Sequence, residues 1–198
     1  MKNPFSIVAG SSGIVLFAGA MLGLAPYMAL KDLPPPEGLK PYTEIEQQGR
    51  DIYVSLGCVY CHSQQPRDPA QAPDESRGWG RVSDPSDYYY DTPHQLGTMR
   101  TGPDLFNIGA RQPSKDWHLI HLYQPRAVVP WSIMSPYPFL FVHKEAAEEG
   151  DVVVPVSGEY APKTGVIVAS ADAIALVAYL TSLDHSYPIP TVEQEPKE

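Results

Sequence analysis

The chain opens on an apolar run with no polar face. Between Lys2 and Lys31 no residue is charged. At about 1.5 Å per residue, this stretch exceeds the roughly 30 Å hydrocarbon thickness of a bilayer, which predicts a transmembrane anchor over 1–31. A cleaved signal peptide is the rival reading: Ala18-Gly19-Ala20 could pass as its cleavage site, but its apolar region ordinarily runs only about 7–15 residues. Gly10, Gly13, Gly19 and Gly23 would let the helix pack closely on neighbouring helices. Residues 32–42 hold three consecutive prolines, Pro34 to Pro36, and predict a stiff, extended linker. Beyond it the pattern becomes helical. Thr43 and Glu46 fit a capping box, and Ile45, Ile52, Tyr53 and Leu56 recur at helical spacing with Gly49 on the same face. Residues 63–100 are polar and proline-rich, and read as a long ordered loop.

The spacing predicts a turn and short helix over 101–111, closed by Gly109, then a helix over 114–125 capped by Ser114 and stopped by Pro125. Residues 128–141 carry too many prolines for a regular element. Residues 151–169 read as a β-hairpin around "SGEYAPKTG", and 170–184 as a mostly buried helix capped by Ser170. The expected class is mainly α with long loops and a possible small β-hairpin insertion. A domain over 43–190 and a tail over 191–198 complete the chain.

Composition changes this picture in one respect. Hydrophobic residues make up 43%, enough for a core, but 22 prolines and 15 glycines imply short helices between irregular loops. Such a chain buries little apolar surface per residue, so a bound group that completes the core is expected. The net charge of −9 argues against nucleic acid and leaves room for a basic protein partner.

The candidate chemistry lies in "GCVYCHSQQ", residues 57–65, which holds the only two cysteines. A disulfide across Cys58-x-x-Cys61 would close a tiny loop and stabilise little, so the pair points to chemistry rather than stapling. C-x-x-C-H is a haem c attachment signature. Two thiols one helical turn apart add to the porphyrin vinyls, and His62 swings under the ring to bind iron. Zinc would need two further ligands, with only remote histidines to supply them. A thioredoxin-like redox pair would need a βαβ context, which the chain lacks. Covalent haem would place the domain on the outer face of an energy-transducing membrane. A six-coordinate electron-transfer iron needs another ligand, and Met99 and Met134 are the candidates outside the anchor. Met134 is favoured, because the prolines around it could hold an irregular loop rigidly over the ring. His94, His118, His121 and His143 are the rivals.

Four stretches carry a specific likeness: "GRDIYVSLGCVYCHSQ", "DTPHQLGTMRTGPDL", "IGARQPSKDWHLIHLYQPRAVVPWSIMSPYPFL" and "VAYLTSL". In order, they resemble the membrane-anchored monohaem subunit II of cbb(3)-type cytochrome c oxidases, the C-family haem–copper oxidases of bacteria. The likeness covers most of 49–140 and the final helix. It implies a cytochrome c fold in which the helix over 43–57 crosses that over 171–183, with Gly49 close to Tyr179. It assigns the haem thioethers to Cys58 and Cys61 and the axial ligands to His62 and Met134. It implies that the Pro103 carbonyl accepts the His62 ring N–H, and that Arg100 and Arg111 pair with haem propionates. His118 and His121 match a "WHxxHL" pattern, to which structural or interface roles are assigned. Residues 65–85 and 142–169 depart from the family, as does Met134-Ser135-Pro136 where methionine-proline is usual.

The implied function is one-electron relay with no bond chemistry of its own. The implied partners are the catalytic subunit of a haem–copper oxidase and other cytochromes c, and the implied place is the periplasmic side of a bacterial inner membrane. A stand-alone tethered shuttle, or a cytochrome subunit of another respiratory complex, is the alternative. A haem enzyme or gas sensor would require Met134 to leave the iron open.

Overall fold

The computed structural model describes residues 3–189; the tail over 191–198 and the first two residues of the expected anchor lie outside them. The chain forms two compact units, Met1–Pro35 and Pro36–Glu198.

The first unit holds one helical rod, Pro4–Leu30, whose most apolar 18-residue window has a mean hydropathy of 2.0, and by length and composition it can cross a membrane. Asn3 caps it, its side-chain oxygen accepting from the Phe5 N–H. Helices α1 (Pro4–Gly19) and α2 (Ala25–Leu30) are joined by one π-helical turn over Ala20–Leu24, where the Ala25 N–H donates to the Ala20 carbonyl. Pro26 accounts for it. Proline has no N–H, and its ring would press on the carbonyl four residues earlier, so a wider turn relieves the contact.

The regular structure of the second unit is mainly helical. Helix α3 (Glu44–Ser55) packs along α6 (Ala171–Ser182). A Cβ on Gly49 would come within 1.9 Å of the Ala175 carbonyl oxygen and 2.8 Å of Tyr179 Cβ, so the two backbones nearly touch there. Tyr53 and Tyr179, both fully buried, pack beside that contact with ring centroids 5.4 Å apart and planes tilted by 60°. Two shorter helices, α4 (Ile108–Arg111) and α5 (Lys115–Tyr123), lie against α6 as well. Ser114 and Ser170 cap α5 and α6, each hydroxyl accepting the N–H three residues on.

One member of the expected α3 stripe is misplaced. Ile45 is 44% exposed; the buried positions of α3 are Gly49, Arg50 and Tyr53. Arg50 is carried inside by an ion pair with buried Asp91 and a bond to the Pro93 carbonyl. The loop before α4 is ordered by polar pairs of this kind, including Arg81 with Asp87 and the Tyr88 hydroxyl on the Gln64 carbonyl. Desolvation makes an unpaired group costly there, so each pair fixes the backbone that carries it.

The sheet also differs from the expected hairpin. Strand β1 (Phe141–Lys144) pairs antiparallel with β2 (Val166–Ala169), Phe141 opposite Ala169 and Lys144 opposite Val166. The 151–156 segment reaches the other edge of β2 through a single bridge, Val153 opposite Val168. Pro155 explains the shortfall, since it has no N–H to continue a ladder. Phe141 lies at the end of a run read as too proline-rich for structure, but the last proline is Pro138, so the four residues from Phe141 are free to pair.

Candidate haem-binding site

Gly57 ends α3 in the left-handed region, φ +70°, a conformation that glycine adopts without strain. A tight turn over Cys58–Tyr60 follows, closed by the Cys61 and His62 N–H groups donating to the Cys58 carbonyl at 3.1 and 3.0 Å. Both thiols thus lie on one turn, Cys58 half-buried and Cys61 exposed. Burial pushes the Cys58 thiol up to about 11. Redox-active pairs need the opposite shift, because the thiolate is the nucleophile. Among the described residues no three His, Cys, Asp or Glu side chains gather as a metal site, so the zinc reading finds no further ligands.

Residues 61–65 run alongside 102–105. The Gly102 N–H donates to the Cys61 carbonyl at 2.9 Å and the Leu105 N–H to the Ser63 carbonyl at 2.8 Å. Between these two bonds, His62 Nδ1 lies 2.8 Å from the Pro103 carbonyl oxygen. A carbonyl only accepts, so the imidazole proton is on Nδ1 and Nε2 keeps its lone pair. Burial lowers the His62 pKa, against the opposing pull of the Pro103 bond, which favours the neutral ring that a metal requires. The ring crowds Gly102, where a Cβ would stand 2.2 Å from His62 Cε1. Gly97, at φ +67°, abuts the His62 carbonyl, where a Cβ would stand 2.8 Å from its oxygen. Neither glycine was picked out from the sequence; "TGPDL" held the signal, a glycine immediately before the proline that faces the histidine.

Asp104 was also missed. It is fully buried and accepts from the Ser63 hydroxyl at 2.6 Å and the Gln65 N–H at 2.8 Å through one oxygen. Its other oxygen accepts from the Phe106 N–H. Arg100 donates to the Ser63 hydroxyl, the Gln65 carbonyl and fully buried Asp74, with Asp104 3.6 Å away. Arg111 donates to the Asp104 carbonyl at 3.1 Å, and burial lowers its pKa. Both predicted arginines therefore converge on the loop beneath His62.

Met134 is half-buried against the core, its N–H held by the Ser132 hydroxyl, whereas Met99 is 57% exposed. Around Met134, Trp131, Ile133 and Phe139 stand out from the chain, at 83%, 73% and 66% exposure. Three of the rival histidines are engaged elsewhere: His94 on the Asp91 carbonyl, His118 on the Gln112 carbonyl and His143 on the Thr164 carbonyl. His121 stacks on Trp117, with centroids 4.7 Å apart, and its buried Nδ1 has no partner among the described residues. Burial, with His118 and His62 nearby, lowers its pKa to about 4.

Two thiols on one turn, an imidazole seated on a glycine with its Nε2 unbonded among the described residues, and exposed apolar side chains beside a thioether are the donor set and the surface that a haem requires. The sequence matches the family model described as "Cytochrome C oxidase, mono-heme subunit/FixO" over residues 1–157. That span takes in the whole C-x-x-C-H region and Met134, and stops short of β2 and α6. No curated protein matches the chain.

Proposed function

The chain belongs to the FixO family of mono-haem cytochrome c oxidase subunits, and from that premise we propose that it is the one-electron relay of a cbb(3)-type oxidase. Haem would be held covalently by Cys58 and Cys61, with His62 and Met134 on the iron. The group would supply an iron that cycles between ferric and ferrous states. The chain's residues hold and tune it. Pro103 draws on the His62 N–H, fixing the ring plane and strengthening Nε2 as a donor. Met134 would close the second face, which favours electron transfer over ligand binding. Arg111, which makes a single side-chain hydrogen bond among the described residues, has donors left for a propionate. Arg100 would add positive charge at the same edge.

On this reading residues 43–190 form a cytochrome c domain, 32–42 form its spacer, and the apolar helix is its anchor. The domain would lie on the periplasmic side of a bacterial inner membrane, beside the oxidase's catalytic subunit. The chain itself would catalyse no reaction.

One observation carries the proposal: immediately after the two thiols, an imidazole is bonded through Nδ1 to a carbonyl, and its Nε2 has no hydrogen-bond partner among the described residues. Acid denaturation of the full-length protein followed by organic extraction tests the attachment, and pigment should stay with the polypeptide. Colourless protein would refute it. The ferric protein should also show the far-red band of a methionine sulfur on iron, and Met134→Ala should abolish it; survival of that band would refute the ligand.

A further inference from the structure

We propose that Asp104 is a positioning residue for the His62 imidazole, clasping through Ser63 the backbone on both sides of the His62–Pro103 bond. The inference rests on His62 being the axial ligand. The clasp is visible bond by bond. Asp104 follows Pro103, whose carbonyl holds the ring, and its carboxylate accepts from Ser63, which follows His62. The same oxygen accepts the Gln65 N–H at 2.8 Å, and the other accepts the Phe106 N–H at 2.8 Å. Every group facing the carboxylate is a donor, so an acceptor-only, ionised side chain is what the cage fits. Arg100 braces the outside. It donates to the Ser63 hydroxyl at 3.0 Å and is itself anchored at 2.7 Å by Asp74, which is wholly buried.

Asp74 therefore gives the 65–85 loop a purpose that its sequence did not disclose: it brings a buried anion to the guanidinium that steadies the clasp. The arrangement has two consequences. The backbone that carries the ring and the backbone that carries its Pro103 acceptor cannot shift apart without breaking the Asp104 bonds, and a buried negative charge lies close to the proximal ligand. A nearby anion favours the more positive ferric state, so Asp104 lowers the reduction potential.

Two variants in the full-length, detergent-solubilised protein separate position from charge. In Asp104→Asn the amide nitrogen cannot accept, so either Gln65 or Phe106 loses its acceptor. The expected result is a more positive midpoint potential together with altered electron paramagnetic resonance g values, which report the axial imidazole. Ser63→Ala keeps the charge and removes the link beside His62; it should alter the g values and leave the potential nearly unchanged. Wild-type g values and potential in both variants, with only a lower melting temperature, would overturn the proposal. If Asp104→Asn fails to accumulate, Ser63→Ala decides alone, and unchanged g values refute the clasp. Wild-type protein without covalent haem would sink the functional reading instead, and that result is visible before any variant is made.

Discussion

Gly102 shows how little freedom a single residue has at this site. His62 lies so close that any Cβ would overlap its ring, at 2.2 Å from Cε1 and 2.8 Å from Nε2. Both the ring and the backbone opposite are pinned by hydrogen bonds, so neither can move away cheaply. Gly102→Ala should therefore displace the imidazole and strain the loop, by an overpacking cost of about 1–3 kcal/mol. The expected outcome is a lower yield of haem-loaded protein, and loss of the low-spin ferric spectrum in what remains. An unaltered spectrum would mean that the ring is not seated where the structure puts it.

At the scale of elements, the α3–α6 contact depends on the absence of a side chain at Gly49. Alanine there would place a methyl 1.9 Å from the Ala175 carbonyl oxygen and 2.8 Å from Tyr179 Cβ. Because backbone rather than a flexible side chain is in the way, the helices must part. Their separation would loosen the buried Tyr53–Tyr179 packing at the end of α3 that leads into Cys58. Gly49→Ala should lower the melting temperature by several degrees in a thermal scan, corresponding to at least about 1–3 kcal/mol. The N-cap of α6 offers a milder perturbation: Ser170→Ala should cost roughly 1 kcal/mol and leave the spectrum intact.

For the molecule as a whole, histidines buried in neutral form make stability fall in mild acid. Burial lowers the pKa of His118 and His185, and that of His121 to about 4. An unfolded histidine titrates near 6.5, so between about pH 6.5 and 4 the unfolded chain binds more protons than the native one. Stability is thus complete above that window and is lost as the pH falls through it, by at most about 1.4 kcal/mol per pH unit for each histidine. Asp104 opposes the trend at the acid end, because burial raises its pKa. His121→Phe keeps an aromatic ring against Trp117 and removes the titration, so its melting temperature should fall less steeply between pH 7 and 4.5. A slope equal to that of the wild type would contradict this account. The apolar helix makes a separate prediction: the full chain should sediment with membranes, resist alkaline carbonate and be released by detergent.

Signals that are local in the chain could be read without coordinates. An uncharged run of bilayer length, two serine caps, and two thiols followed by a histidine each depend on neighbours a few residues apart, so spacing alone located the apolar helix, the starts of α5 and α6, and the C-x-x-C-H residues. What spacing could not decide were partnerships across the fold. Arg50 goes inside because Asp91, 41 residues later, neutralises it. Phe141–Lys144 becomes a strand because β2 arrives from beyond residue 165 to pair with it. Asp104 shapes the His62 pocket because a loop 41 residues downstream of Ser63 folds back beneath it. Burial makes Arg50 and Asp104 need partners, an extended segment needs a neighbour to pair its backbone, and only the tertiary structure chooses which one.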